Sequence, residues 1–262
     1  GNVARVGRVV PFWVFNGYSL TASPEVIAQL AQDPNVLAIT PDAIDLVPAG
    51  SAPRAAISVS SAATAAPEPN LALIDAPALW QLGQRGQGIV VASLDTGVDA
   101  THPDLAAQYR GGTNSWFDPY GQQPTPADPR NHGTWTLSVV LGREAGGTAI
   151  GVAPAAQWIA ARIFNDAGGS TATAVHQAFQ WVLDPDGNPA TPDAPDVVNN
   201  SWTFVTTGCN LSFEPDLQAL VAAGITPVFA AGNLGPGAAT AASPGNLLYC
   251  LIGVILGTLI GV

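Results

Sequence analysis

Apolar residues in this chain run in short unbroken stretches separated by helical-period segments. Gly88 to Leu94 reads GIVVASL, and similar runs occupy Trp158–Phe164, Val197–Asn200 and Ile225–Ala231. A strand covered on both faces needs such continuity, whereas a half-exposed strand alternates. Thr134–Leu141, Thr171–Val182 and Glu214–Ala223 lie between them with helical spacing. Alternating strands and helices predict an α/β fold, a parallel sheet with helices on both faces, from about Asn70 onward. Active sites in such sheets lie at the carboxyl ends of strands.

Residues 1–48 have a different pattern and predict a small α+β unit. An extended run covers Val6–Leu20. A helix then opens with Ser23 as N-cap and Pro24 at its first position, carries apolar Val26, Ile27, Leu30 and Ala31 at helical spacing, and stops at Asp33-Pro34. A strand is expected over Asn35–Thr40 and a short one over Ile44–Val47. Residues 49–69 are rich in Ala, Ser and Pro and read as a linker, which leaves 70–262 as the larger domain.

Composition narrows the function. The net charge is −11, with eight Arg and no Lys, which provides no basic face for nucleic acid. Cys209 and Cys250 belong to no Cys-x-x-Cys pair, so a zinc site is not expected; one disulfide or two buried thiols both stay open. The chain starts at Gly1 and contains no Met, so it reads as beginning inside a longer precursor whose signal peptide lies upstream. Leu247–Val262 is an uncharged run of 16 residues, shorter than the roughly 20 a membrane span needs. A buried strand with a premature or altered end is the expectation there.

Three short motifs carry chemistry. Asp95-Thr96-Gly97 puts a carboxylate at the tip of the first buried strand. A turn Asp is the plain alternative, and an aspartic-peptidase pair would need a second such motif, which is absent. His132 stands at a helix start, where the dipole disfavours a cation, so it needs a carboxylate partner or stays neutral. Asn233 ends another buried run, where a side-chain amide can donate to a developing oxyanion or simply make a turn. His102 and His176 lack such surroundings; His176 reads as a mid-helix packing residue.

Taken together, VASLDTGVDATHPDL, NHGTWTLSVVLG, IGVAPAAQWIAARIF, DVVNNSW and PVFAAGN resemble, in order, the subtilisin-like serine peptidases. The VVNNSW segment is most similar to the bacillopeptidase F branch. VFNGYSLTASPEVIAQLAQDPNVLAITPD resembles the family's inhibitory propeptide, implying a ferredoxin-like unit over residues 1–48. The resemblance implies an exported endopeptidase made as a zymogen, acting on polypeptides, with residues 1–48 as its intramolecular inhibitor. It assigns Asp95 to orienting His132, His132 to general base and acid, and Asn233 to the oxyanion. Asn200, Ser201, Trp202 and Thr203 would form the edge that pairs with substrate backbone. No cofactor, metal or nucleic acid is implied.

The chain also departs from the family pattern. No Gly-Thr-Ser-Met-Ala-like turn with the nucleophilic serine occurs; Gly257-Thr258 is followed by Leu259. The expectation is a chain ending before its nucleophile, inactive alone, with a non-catalytic peptide-binding protein as the alternative. Trp135 replaces a frequent second histidine, Ser138 a usual glycine, and Thr203 another glycine beside the substrate edge. Asp104 matches a calcium-binding position of some relatives, and Asp184-Pro185-Asp186-Gly187-Asn188 superficially resembles half a calcium loop. Without the rest of either ligand pattern, no metal is expected.

Overall fold

The structure is a computed structural model that describes residues 5–50, 67–205 and 210–233. Cys209, Cys250 and the 247–262 run lie outside the described residues, as does most of the 49–69 segment. No helix among the described residues is long and apolar enough to cross a membrane.

Among the described residues, the larger unit is built on a five-stranded parallel sheet. Its strands, in chain order, are β5 (Val90–Asp95), β6 (Trp116–Phe117), β7 (Gln157–Arg162), β9 (Val197–Asn200) and β11 (Thr226–Phe229). Across the sheet the order is β11-β9-β5-β7-β6, with every pair parallel. β5 is therefore central, and its register sets Asp95 beside Arg162. Three of the four expected apolar runs begin or end a residue or two from the observed strands, and Val197–Asn200 agrees at both ends. The two-residue β6 carries no periodicity and was not foreseen.

Side chains alternate along β5. Ala92 and Leu94 join Val175, Phe179 and Val182 of α5 (Ala172–Leu183) and Leu217 and Leu220 of α6 (Glu214–Ala222) in one buried cluster. Val91 joins Leu137 and Leu141 of α4 (His132–Leu141) and Trp158 in another. Helices thus cover both faces, and the same alternation turns Asp95 towards α4. Two short helices, α2 (Pro69–Leu73) and α3 (Ala76–Gln81), precede the sheet, each with proline in its first turn.

The N-terminal region differs from expectation. The run over Val6–Leu20 is a hairpin, β1 (Val6–Phe12) and β2 (Gly17–Ala22), turned at Asn16 with φ 56°. Asparagine tolerates that left-handed conformation. Helix α1 (Pro24–Leu30) forms behind Ser23 as expected. No strand forms over 35–40: the Asp33 carboxylate accepts from the Asn35 backbone and side chain, Val36 N bonds Asp33 O, and Leu37 is 99% exposed. A ferredoxin-like β-α-β-β-α-β sheet is not formed among the described residues. Instead β3 (Ala43–Ile44) and β4 (Leu46–Pro48) leave the hairpin and pair with the larger unit, antiparallel to β8 (Ser170–Thr171) and β10 (Trp202–Phe204) respectively.

Candidate active site

Asp95 closes β5 and is fully buried. Its Oδ1 accepts from Thr96 N at 2.6 Å and lies 2.8 Å from His132 Nδ1, and Thr136 Oγ1 donates to Oδ2 at 3.3 Å. His132 opens α4 directly across from it. The close approach depends on Gly133, where a Cβ would stand 2.1 Å from Gly97 O and 3.0 Å from Asp95 Cβ.

Asp128 ties these two segments together. Its carboxylate accepts from Thr96 Oγ1 at 2.8 Å, from Thr134 N at 2.8 Å and from Thr134 Oγ1 at 2.7 Å. Thr96 Oγ1 in turn accepts from Gly133 N at 2.9 Å. Asn131, the N-cap residue, has φ 64° and gives no side-chain cap, so Asp128 satisfies part of the helix start. The sequence signal was an acid four residues before His132, and the motif reading passed over it.

Burial works against a charged imidazole at His132. The Asp95 hydrogen bond and charge, the Ala49 carbonyl and the Asp128 charge outweigh it and raise the pKa above 6.5. Burial also pushes the Asp95 carboxyl up, and its bond with His132 opposes that rise.

Beyond Trp135 of its own helix, His132 meets the segment that follows β4. Its Nε2 lies 2.8 Å from Ala49 O. A carbonyl only accepts, so Nε2 donates; with Nδ1 facing a carboxylate, the contact set is complete when both nitrogens carry protons. Ala49 N donates to Ser201 O at 2.7 Å, and Pro48, Val47 and Leu46 pair with Trp202, Thr203 and Phe204. Asn233 reaches the same strand: its Nδ2 donates to Pro48 O at 3.2 Å and its Oδ1 accepts from Gly50 N at 2.7 Å. Its amide therefore brackets the Ala49 carbonyl without bonding it.

The four residues expected at the edge divide. Ser201, Trp202 and Thr203 face the paired strand with their backbone, and the Trp202 side chain is buried in the core. Asn200 is fully buried, and its Nδ2 donates to Val198 O and Val228 O, holding β9 to β11.

His176 is more than packing. Its Nδ1 lies 2.9 Å from Asp216 Oδ2, and Phe12, Phe15 and Phe213 surround its ring at 4.7–5.1 Å. Phe12 and Phe15 belong to the hairpin, so this cluster joins the two units.

The Asp104 Oδ1 accepts from Ala145 N at 2.6 Å, a loop tie after α4. Asp184, Asp186 and Asp193 bring ligand oxygens within 4.8 Å of one another, a grouping able to hold a cation; Asn114 Nδ2 already donates to Asp193.

A buried Asp–His pair thus stands at the carboxyl end of a central parallel strand, with the Ala49 carbonyl at the imidazole. The model of the Subtilase family matches residues 86–255. The chain belongs to the subtilase family. Bacillopeptidase F of Bacillus subtilis (strain 168) is 38% identical over 260 residues, covering 91% of this chain and 18% of that protein. Minor extracellular protease Vpr of the same organism is 32% identical over 175 residues, covering 64% and 20%. Subtilisin E is 29% identical over 154 residues, covering 59% and 35%. This subtilase chain therefore spans well under half the length of each of these relatives. Its sheet, with Asp95 and His132 at one rim, is the α/β fold the motifs predict.

Proposed function

We propose that the protein is part of a serine-type endopeptidase, made as a zymogen and exported, whose residues 1–48 inhibit it intramolecularly. The observation that carries this reading is the line Asp95 Oδ1–His132 Nδ1, 2.8 Å, continued by His132 Nε2–Ala49 O, 2.8 Å. A polypeptide lies along β10, and one of its carbonyls takes up His132 Nε2, the atom that in this reading receives the seryl proton. Relatives named as serine proteases support the activity; one named as an extracellular protease supports the export, while two others are named as intracellular.

In this reading Asp95 holds the tautomer and orientation of His132 and stabilises its charge. His132 takes the proton of an attacking seryl hydroxyl and returns it to the leaving amine. That hydroxyl belongs to a Gly-Thr-Ser-Met-Ala-like turn, which residues 1–262 do not contain. Asn233 supplies an amide to the oxyanion once the bracketed strand makes way. Ser201, Trp202 and Thr203 register the substrate backbone, with Asn200 fixing their strand from behind. The segment 46–50 occupies that edge and excludes other polypeptides until the stretch after it is cut.

The test compares the 262-residue chain with a product extended through such a seryl turn. The extended product should react with a fluorophosphonate and hydrolyse a denatured protein, and His132→Ala should abolish both. The 262-residue chain should do neither. An extended product that stays unreactive yet binds polypeptides would instead make this a non-catalytic peptide-binding protein.

A further inference from the structure

Gly50 is the residue immediately after the carbonyl at His132, and the chain leading into it is held. Ala49 N donates to Ser201 O at 2.7 Å, Ala49 O meets His132 Nε2 at 2.8 Å, and Gly50 N donates to Asn233 Oδ1 at 2.7 Å. Three consecutive polar groups are thus fixed, up to the N–Cα bond of Gly50. Its φ is +105°, a conformation that side chains of L-residues rarely adopt.

The space beside Gly50 is also closed. A Cβ there would lie 3.0 Å from Cζ3 and 3.1 Å from Cη2 of Trp135. Trp135 is three residues after His132 on α4, so the two side chains share a helix face. The indole packs edge-on against the imidazole, with centroids 5.7 Å apart at 72°. Its backbone is anchored in the first turn through Trp135 N to Asn131 O, 3.1 Å. The outer edge of the ring would have to give by a few tenths of an ångström to admit a Cβ. Close-packed groups resist even one added carbon.

We propose that Trp135 makes this cleft select glycine at the position directly following the carbonyl that meets His132. The assignment rests on the reading that β10 is the edge along which polypeptides dock. Any chain laid there with a carbonyl at His132 brings its next residue beneath the same ring. The preferred polypeptide therefore carries a residue–glycine bond at the imidazole, and in this chain that bond is Ala49–Gly50.

The test uses the full 262-residue chain and reads amide hydrogen exchange by NMR, as protection factors, at Ala49 and at Ile163. The Ile163 amide, bonded to Asp95 O at 2.9 Å inside the sheet, reports the fold itself. Gly50→Ala should lower Ala49 protection by about tenfold or more, from the strained φ and the ring contact together. Ile163 should not change. Trp135→Ala alone should leave Ala49 within about twofold. Combined with Gly50→Ala, it should restore several-fold of the lost protection, and Trp135→Val should do likewise. If Gly50→Ala costs the same protection whether or not Trp135→Ala accompanies it, the role of the ring is overturned, as it is by no loss on Gly50→Ala. An Ala49 amide unprotected in the unmodified chain would instead remove the docking reading and the selectivity with it.

Discussion

The carbonyl oxygen of Ala49 lies 2.8 Å from Nε2 of His132, although 83 residues separate them in the chain. This contact puts a peptide bond next to the Asp95–His132 pair. Four consequences can be measured.

Folding stability should weaken as pH rises. His132 is hydrogen-bonded at both nitrogens only when charged, and its pKa is raised in the folded state: burial opposes the charge, but Asp95, Ala49 and Asp128 outweigh it. The contribution is complete below the unfolded imidazole value of about 6.5 and is lost as pH rises through the folded value. At low pH it ends where Asp95 takes up a proton, a point that burial moves above 3.8. Stability from urea unfolding should fall between mildly acidic and alkaline pH, and less so in His132→Ala; the same profile in both would refute this coupling.

Asp95→Asn should remove the group that outweighs burial at His132. The imidazole should then titrate lower than in the parent chain, as read from its ring proton shifts by NMR. An unchanged titration would mean the pair is not coupled. In a product extended through the seryl turn, hydrolysis should fall by roughly 10⁴-fold.

Leu46→Ala should undock the strand as well as destabilise the fold. Leu46 is 7% exposed and belongs to the cluster with Trp202 and Phe213. Truncating a buried leucine costs about 2–5 kcal/mol, and a solvent-relaxed rim site lies at the low end. Urea unfolding should show that loss together with faster exchange at Ala49. Lost stability without faster exchange would separate the side chain from docking.

Gly133→Ala should disturb the site more than its size suggests. The added methyl meets Gly97 O at 2.1 Å and Asp95 Cβ at 3.0 Å, and both are held in the rim of the sheet. Overpacking of this kind costs about 1–3 kcal/mol. Thermal unfolding should register the loss, and the His132 ring signals should move with it. Parent-like stability would show that the turn after β5 yields freely.

Much of this protein was legible in its sequence because the signals were local. The strands announce themselves as apolar runs, the helices as periodic segments with caps and prolines, and Asp95 and His132 as residues at the end of a strand and the start of a helix. Those features depend on near neighbours in the chain, and tertiary structure had no reason to override them.

What only the tertiary structure decided depends on partners far away in sequence. Leu46–Pro48 is a strand because β10 offers it a free edge, while residues 35–40, with comparable β-formers, meet no edge and stay irregular. Asn200 looked like part of that edge, but strand alternation turns its side chain inward to hold β9 to β11. Phe12 and Phe15 reach His176 only because the hairpin packs on α5, and Trp135 meets Gly50 only because Ala49 is held at His132. A strand of two or three residues has no period to read, and a contact between surfaces has no pattern within either one. Those parts are fixed by which unpaired backbone groups and apolar faces meet once the sheet exists.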